Sequence, residues 1–327
     1  MTILTALKLM ENQHEGEKKY TSFITATRTM VEEGKSLYVA LKSQKVYALP
    51  DFFLQSLKVA GQSGKMVEVL TNMGNFFSAQ SKVKKQISNA MAYPIFIFIV
   101  AIGMSGFLIS FVVPKIIGIF EDTGQELPGV TQFVLGISDF LTSNYIAILV
   151  GFILIVVFFK VAYKKLESFT MTIDSMLLKL PLFGVLIQNH ELGRFSYILS
   201  LMLDSGVSYA QAVQLAGTTF GNVAMKATFD EASNKVLEGN KLSNALYMSK
   251  RFKPKRNFLQ SLALGEESSE VASILFNLSS LYNEENEDKL KLMLSLLEPF
   301  MMLVIGLVVG VIVVAMLLPI FSMSSNF

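Results

Sequence analysis

The chain has 327 residues, no cysteine and only two histidines. Without cysteine there is no disulfide framework, no thiolate metal site and no cysteine nucleophile. His14 and His190 stand among polar neighbours, in Gln13-His14-Glu15 and Asn189-His190-Glu191, a setting that predicts solvated imidazoles at helix ends rather than catalytic groups. No G-x-x-x-x-G-K-[ST] loop, H-E-x-x-H pair or G-x-S-x-G elbow occurs, so the usual residues for binding ATP, hydrolysing peptides or forming acyl-enzymes are missing. These absences predict a protein that is not an enzyme and holds no cofactor or metal. The formal net charge of +2 gives no electrostatic footprint for nucleic acid.

Charge is also missing locally. Charged residues make up 17% of the chain, yet none lies between Lys85 and Lys115, between Asp139 and Lys160, or from Pro299 to Phe327. About 20 apolar helical residues cross about 30 Å of hydrocarbon, so each stretch predicts a membrane span. The first begins near Ala92, too far into the chain and too long for a signal-peptide core.

Prolines bracket two of the spans. Pro94 and Pro114 flank the first, and the same pair recurs at an offset of 205 residues as Pro299 and Pro319. A proline suits the first turn of a helix and stops one beyond its last turn, so Pro94 and Pro299 are expected to open helices that Pro114 and Pro319 close. The offset continues through the polar regions. It superposes Val31 on Val236, Glu33-Gly34 on Glu238-Gly239, Phe53-Leu54-Gln55-Ser56-Leu57 on Phe258-Leu259-Gln260-Ser261-Leu262, and Lys84 on Lys289. The middle span has no counterpart in the repeat and must return the chain between two units of equal orientation.

Lysines set that orientation. Lys82, Lys84 and Lys85 precede the first span, Lys160, Lys164 and Lys165 follow the second, and Lys289 and Lys291 precede the third. Positive charge stays cytoplasmic, which predicts cytoplasmic repeat units, an N-terminus inside, and a periplasmic loop and tail. The units themselves read as helices, with apolar residues at i, i+3, i+4 and i+7 and glycine and proline confined to breaks. In the second unit Leu192, Phe195, Ile198, Leu199, Met202 and Leu203 form one apolar face that stops at Asp204-Ser205-Gly206. The counterpart of that helix in the first unit would precede Met1, so the first bundle is expected to be incomplete, with Met1 not the natural start.

Laid out this way, the chain resembles the GspF/PilC family of inner-membrane platform proteins of type II secretion systems and type IV pili. The residues that carry the resemblance are Arg194-Phe195 to Leu199, Leu203 to Gly206-Val207, Glu238-Gly239 to Leu242, Gly265-Glu266-Glu267-Ser268, Glu298-Pro299 and Leu318-Pro319. In the first copy they are Gly34, Ala60-Gly61-Gln62-Ser63-Gly64, Tyr93-Pro94, and the loop from Val113-Pro114-Lys115 to Glu126-Leu127-Pro128 with Thr131. Ser269 stands where the family usually has glycine, which weakens the expectation of a left-handed backbone there. The resemblance implies a scaffold in the bacterial inner membrane that couples a hexameric secretion ATPase to extraction of pilin or pseudopilin subunits. It further implies other inner-membrane assembly partners and a homo-oligomer. A membrane transporter or channel subunit with a parallel repeat is the alternative, opposed by the lack of charge within the spans.

The expected fold is an all-α membrane protein with two repeated cytoplasmic bundles of about six helices and three transmembrane helices. The bundles occupy 1–85 and 161–290, the spans 86–114, 140–160 and 291–320, the periplasmic loop 115–139 and the tail 321–327. Candidate partner-binding residues are Arg194, Glu266, Glu267 and Glu298. Glu266 and Glu267, near Glu270, would otherwise favour the N-terminus of the following helix, and Glu298 would otherwise lie at headgroup depth.

Overall fold

A computed structural model describes residues 2–14, 16–108, 111 and 128–324, and the described residues contain no strand. The helices are α1 Ile3–Gln13, α2 Lys18–Glu32, α3 Leu37–Ser43, α4 Asp51–Ser63, α5 Met66–Phe107, α6 Gly129–Ser143, α7 Tyr145–Lys165, α8 Glu167–Lys179, α9 Phe183–Asp204, α10 Tyr209–Gly217, α11 Val223–Leu237, α12 Leu242–Tyr247, α13 Arg256–Ser268 and α14 Val271–Ser324. Two compact units result, Met1–Gln80 with Met171–Asp288, and Ser81–Thr170 with Lys289–Phe327.

In the first unit the repeat is structural. Helices α2 and α11, and α4 and α13, begin and end at the same register positions, and α5 and α14 start in step. The repeat extends to the turns. Gly34 and Gly239 both take φ near 90°, at 85° and 95°, and end their helices in the same way. Gly64 (φ 74°) corresponds to Ser269, and here the structure corrects the expectation, because Ser269 adopts φ 63°. The turn demands it. Helix α14 must start after only two intervening residues, and a Cβ at Gly265 would already lie 3.1 Å from the Val271 Cα. A left-handed serine costs about 1–2 kcal/mol, which close packing of the two helices offsets.

The core centres on α9. Its Leu192, Phe195, Ile198, Leu199 and Met202 are buried together with Phe229, Phe258, Leu262, Leu275 and Tyr282. Phe195 and Phe229 pack with ring centroids 4.7 Å apart, and Phe220 lies 4.3 Å from Phe229. The same core takes in Phe52, Ala60, Val69 and Met73 from the first repeat. Tyr197 of α9 stacks on Phe76 at 5.2 Å and donates its hydroxyl proton to the Asn72 carbonyl at 2.7 Å. Lys65 donates to the Asp204 carbonyl at 2.8 Å. The two bundles therefore share this core, while Leu37, Leu41 and Leu57 form a second, smaller cluster within the first bundle. Only together with α8 would α9 be apolar enough to be mistaken for a span, and the two are bent by 106°, while protein covers most of α9. The chain enters it through a tight turn in which Leu182 has φ 72° and an added Cβ at Gly184 would collide with the Leu178 carbonyl.

Three helices among the described residues are long and apolar enough to cross a membrane: Met66–Phe107, Tyr145–Lys165 and the stretch Val271–Ala315. The prolines do not bracket them. Pro94 lies inside α5, and Pro299 and Pro319 lie inside α14, which runs on to Ser324; Pro114 lies outside the described residues. The first and third spans continue helices that began in the polar region, so neither needs a new first turn at the membrane. The missing N–H leaves the carbonyl four residues earlier without its helical donor, namely Ala90, Ser295 and Ala315. Membrane helices tolerate this where other groups occupy the freed carbonyl. The stretch expected as the end of a loop, up to 139, is also helical, in α6.

Candidate partner-binding surfaces

Glu266 is the most heavily engaged of the expected site residues, and its engagement is internal. Its carboxylate accepts from the backbone N–H of Leu242 at 2.6 Å and of Ser243 at 3.1 Å, from the Ser243 hydroxyl, and from the Tyr209 hydroxyl at 2.8 Å. Two of these donors are the orphan N–H groups at the start of α12, whose own N-cap residue, Lys241, supplies no side-chain acceptor. A carboxylate there satisfies them and complements the helix dipole. Burial, followed by the Glu266 charge and hydrogen bond, holds the Tyr209 phenol far above its ordinary range. Glu266 is thus a cap made at a distance, and it does not act on the helix that follows it. Glu267 is exposed and lies 3.8 Å from Lys241.

Arg194 donates to Glu191 at 2.7 Å and to the Thr219 carbonyl, while Glu191 also accepts from the Gly221 N–H at 3.0 Å. Among the described residues the buried Arg194 Nε makes no hydrogen bond. Arg194 borders an open cleft of about 370 Å³ lined by Pro50, Phe52, Phe76, Phe77 and Gln80 on one side and by Thr218 and Thr219 on the other. Glu298 is exposed on α14. His14 is the C-cap of α1, whereas His190 lies in the middle of α9 rather than at a helix end. Desolvation, then the Arg194 charge, pulls the His190 imidazole below the usual histidine range.

A polar cluster around Asn189 carries no signal in the sequence. Fully buried Asn189 donates to Glu285 at 3.1 Å and accepts from Lys255, which pairs with Glu285 at 3.5 Å. Tyr282 donates to Asn257 at 3.0 Å, and its Cβ closes on the backbone at Gly193. Buried Asp174 accepts from the Val223 N–H at 2.7 Å while Asn222 caps the same helix. An asparagine three residues before the first N–H it satisfies is a local signal; a carboxylate 49 residues away is not.

Residues 1–114 and 195–319 match the family model of type II secretion system protein F. The chain belongs to that family. The match in two blocks reproduces the repeat and leaves out the middle span. It contains Glu266, Glu267, Glu298 and all four prolines, and its second block begins one residue after Arg194. The relatives of protein F found for this chain include a type IV pilus assembly protein PilC of Thermus thermophilus, 29% identical over 98% of this chain and 78% of the relative. A PilC of Pseudomonas aeruginosa is 31% identical over 90% and 78%, and a type II secretion system protein F of the same species is 30% identical over 94% and 75%. Membership of the protein F family, with three apolar helices, makes this an inner-membrane protein of a secretion or pilus assembly system.

Proposed function

We propose that the chain is the inner-membrane platform of such a system, a scaffold that works by contact. Its soluble unit docks a hexameric cytoplasmic ATPase, and its membrane helices hold pilin or pseudopilin subunits as they leave the bilayer for a growing filament. The observation that carries this reading is the family match across both repeats, on a chain without a phosphate loop of its own. Energy then has to come from a separate protein. Lysines beside all three spans support cytoplasmic placement of the soluble unit and a periplasmic C-terminus. The shared core supports a rigid docking body, because two bundles packed through Tyr197, Phe76 and Asn72 transmit a push as one.

The test is recovery of the ATPase with affinity-tagged chain from solubilised membranes. The exposed charges Glu267 and Lys241 are the positions to reverse, because Glu267→Lys leaves the Glu266 cap in place. Co-purification that weakens on reversal, with the chain still abundant, supports docking there. Solute flux through purified protein in vesicles, without ATPase recovery, would favour the transporter instead. Orientation is checked with impermeant maleimide on the natively cysteine-free chain. Gln132→Cys should label from the periplasm and Ser268→Cys should not.

A further inference from the structure

Helix α6 has three distinct faces. At about 100° per residue, Thr131, Val134 and Ser138 share one face, and all three are buried. Gln132, Asp139 and Ser143 share the next, which is polar and exposed. Val130, Phe133, Ile137 and Phe140 form the third, which is wholly apolar, and Phe133 is 64% exposed and Phe140 62%. The buried face is tied to the third span. Thr131 Oγ1 donates to the Ala315 carbonyl at 2.6 Å, and both residues are buried. That carbonyl is the one Pro319 cannot serve, since a proline has no N–H for the residue four positions earlier. The threonine hydroxyl replaces the missing backbone donor.

The geometry points to α6 as an interfacial membrane helix, pinned to the third span by Thr131 at the carbonyl freed by Pro319, with its Val130-Phe133-Ile137-Phe140 face in lipid. Three observations select lipid as the occupant. The helix runs directly into the second span, which begins at Tyr145 after a single intervening residue. Its buried face contacts the third span at Ala315, at the far end of that apolar stretch. Its apolar face is uncharged and resembles the outward surfaces of the spans, where Ile146, Leu149, Leu307 and Val314 are also exposed. A polar flank beside an apolar one is what lets a helix lie along the bilayer surface, with one side toward headgroups and the other toward acyl chains. The inference needs only the membrane spans and does not depend on which machine the chain serves.

The experiment uses nitroxide labels on single cysteines in the full chain, reconstituted in phosphatidylethanolamine and phosphatidylglycerol vesicles. At Phe133→Cys and Ile137→Cys, collisions with oxygen should exceed those with a water-soluble nickel chelate several-fold. At Gln132→Cys and Ser143→Cys the ratio should reverse. Labels at 133 and 137 reached by nickel would overturn the inference, and so would labels reached by neither probe, which would mean that a second copy or another protein covers the face. The pin has its own test. Thr131→Val should mobilise the label at 137 and Thr131→Ser should not. Thr131→Val should also lower resistance to denaturing detergent more in the native chain than on a Pro319→Ala background, where a backbone N–H serves Ala315. An equal loss on both backgrounds would remove Pro319 from the account.

Discussion

The two repeats share helix boundaries and glycine turns but treat the same positions differently. In the second, α9 covers the apolar face of the bundle, and Tyr282 and Leu275 are fully buried. In the first, the residues in register with them, Phe77 and Leu70, are 39% and 36% exposed. Lys255 and Glu285 bind Asn189 of α9, Tyr282 closes on Gly193, and Asn257 accepts from Tyr282. The counterparts of Lys255, Asn257, Tyr282 and Glu285, namely Pro50, Phe52, Phe77 and Gln80, line the open cleft. The second copy thus seats α9 with polar and aromatic groups where the first carries Pro50, Phe52, Phe77 and Gln80. The caps diverge as well. Helix α3 is capped from within by Ser36, which accepts from the Val39 N–H at 3.3 Å. Its partner α12 has Lys241 at that position and borrows Glu266, where the first repeat has Gly61. A duplicated fold keeps its backbone register, and its polar contacts are free to be rebuilt.

Breaking the seat should have the largest effect. Tyr282→Ala removes a fully buried ring and should cost about 3–5 kcal/mol, whereas the half-exposed Phe77→Ala should cost about 1 kcal/mol. Pulse proteolysis of the detergent-solubilised chain across a urea series would measure both, and equal losses would erase the distinction between the repeats. Next comes the borrowed cap. Glu266→Ala leaves buried donors from Leu242, Ser243 and Tyr209 without their acceptor and should cost about 2–4 kcal/mol. Gly61→Glu at the matching exposed position should change stability by less than about 0.5 kcal/mol.

The turns should respond in opposite directions. Ser269→Gly relieves a left-handed serine and should stabilise by about 1 kcal/mol, while Gly64→Ser should destabilise by a similar amount. A destabilising Ser269→Gly would mean that the serine side chain, rather than its backbone, holds the turn. The smallest effect concerns His190. Its folded pKa lies below the ordinary histidine value, so the unfolded chain binds more protons as pH falls, and stability drops as pH goes down through about 6.5. His190→Gln should flatten that part of the stability profile, read as melting temperature against pH.

The repeat, the three spans and the helical class were legible in the linear chain. These follow from periodicity, from charge-free runs and from a fixed offset, all of which are local or linear properties of the chain. Helix ends marked by glycine were legible for the same reason, since Gly34 and Gly239 announce a left-handed turn wherever the chain goes. Ser269 was not, because its φ is set by how closely α13 and α14 pack, which no neighbouring residue encodes. That Pro94, Pro299 and Pro319 lie inside continuous helices, that both bundles pack on α9, and that Glu266 faces inward emerged only from the fold. Each outcome depends on a partner far along the chain: Thr131 for the Ala315 carbonyl, Asn72 for Tyr197, Leu242 and Ser243 for Glu266. A hydrogen bond between distant residues is fixed by packing geometry, and packing is what a linear pattern leaves open.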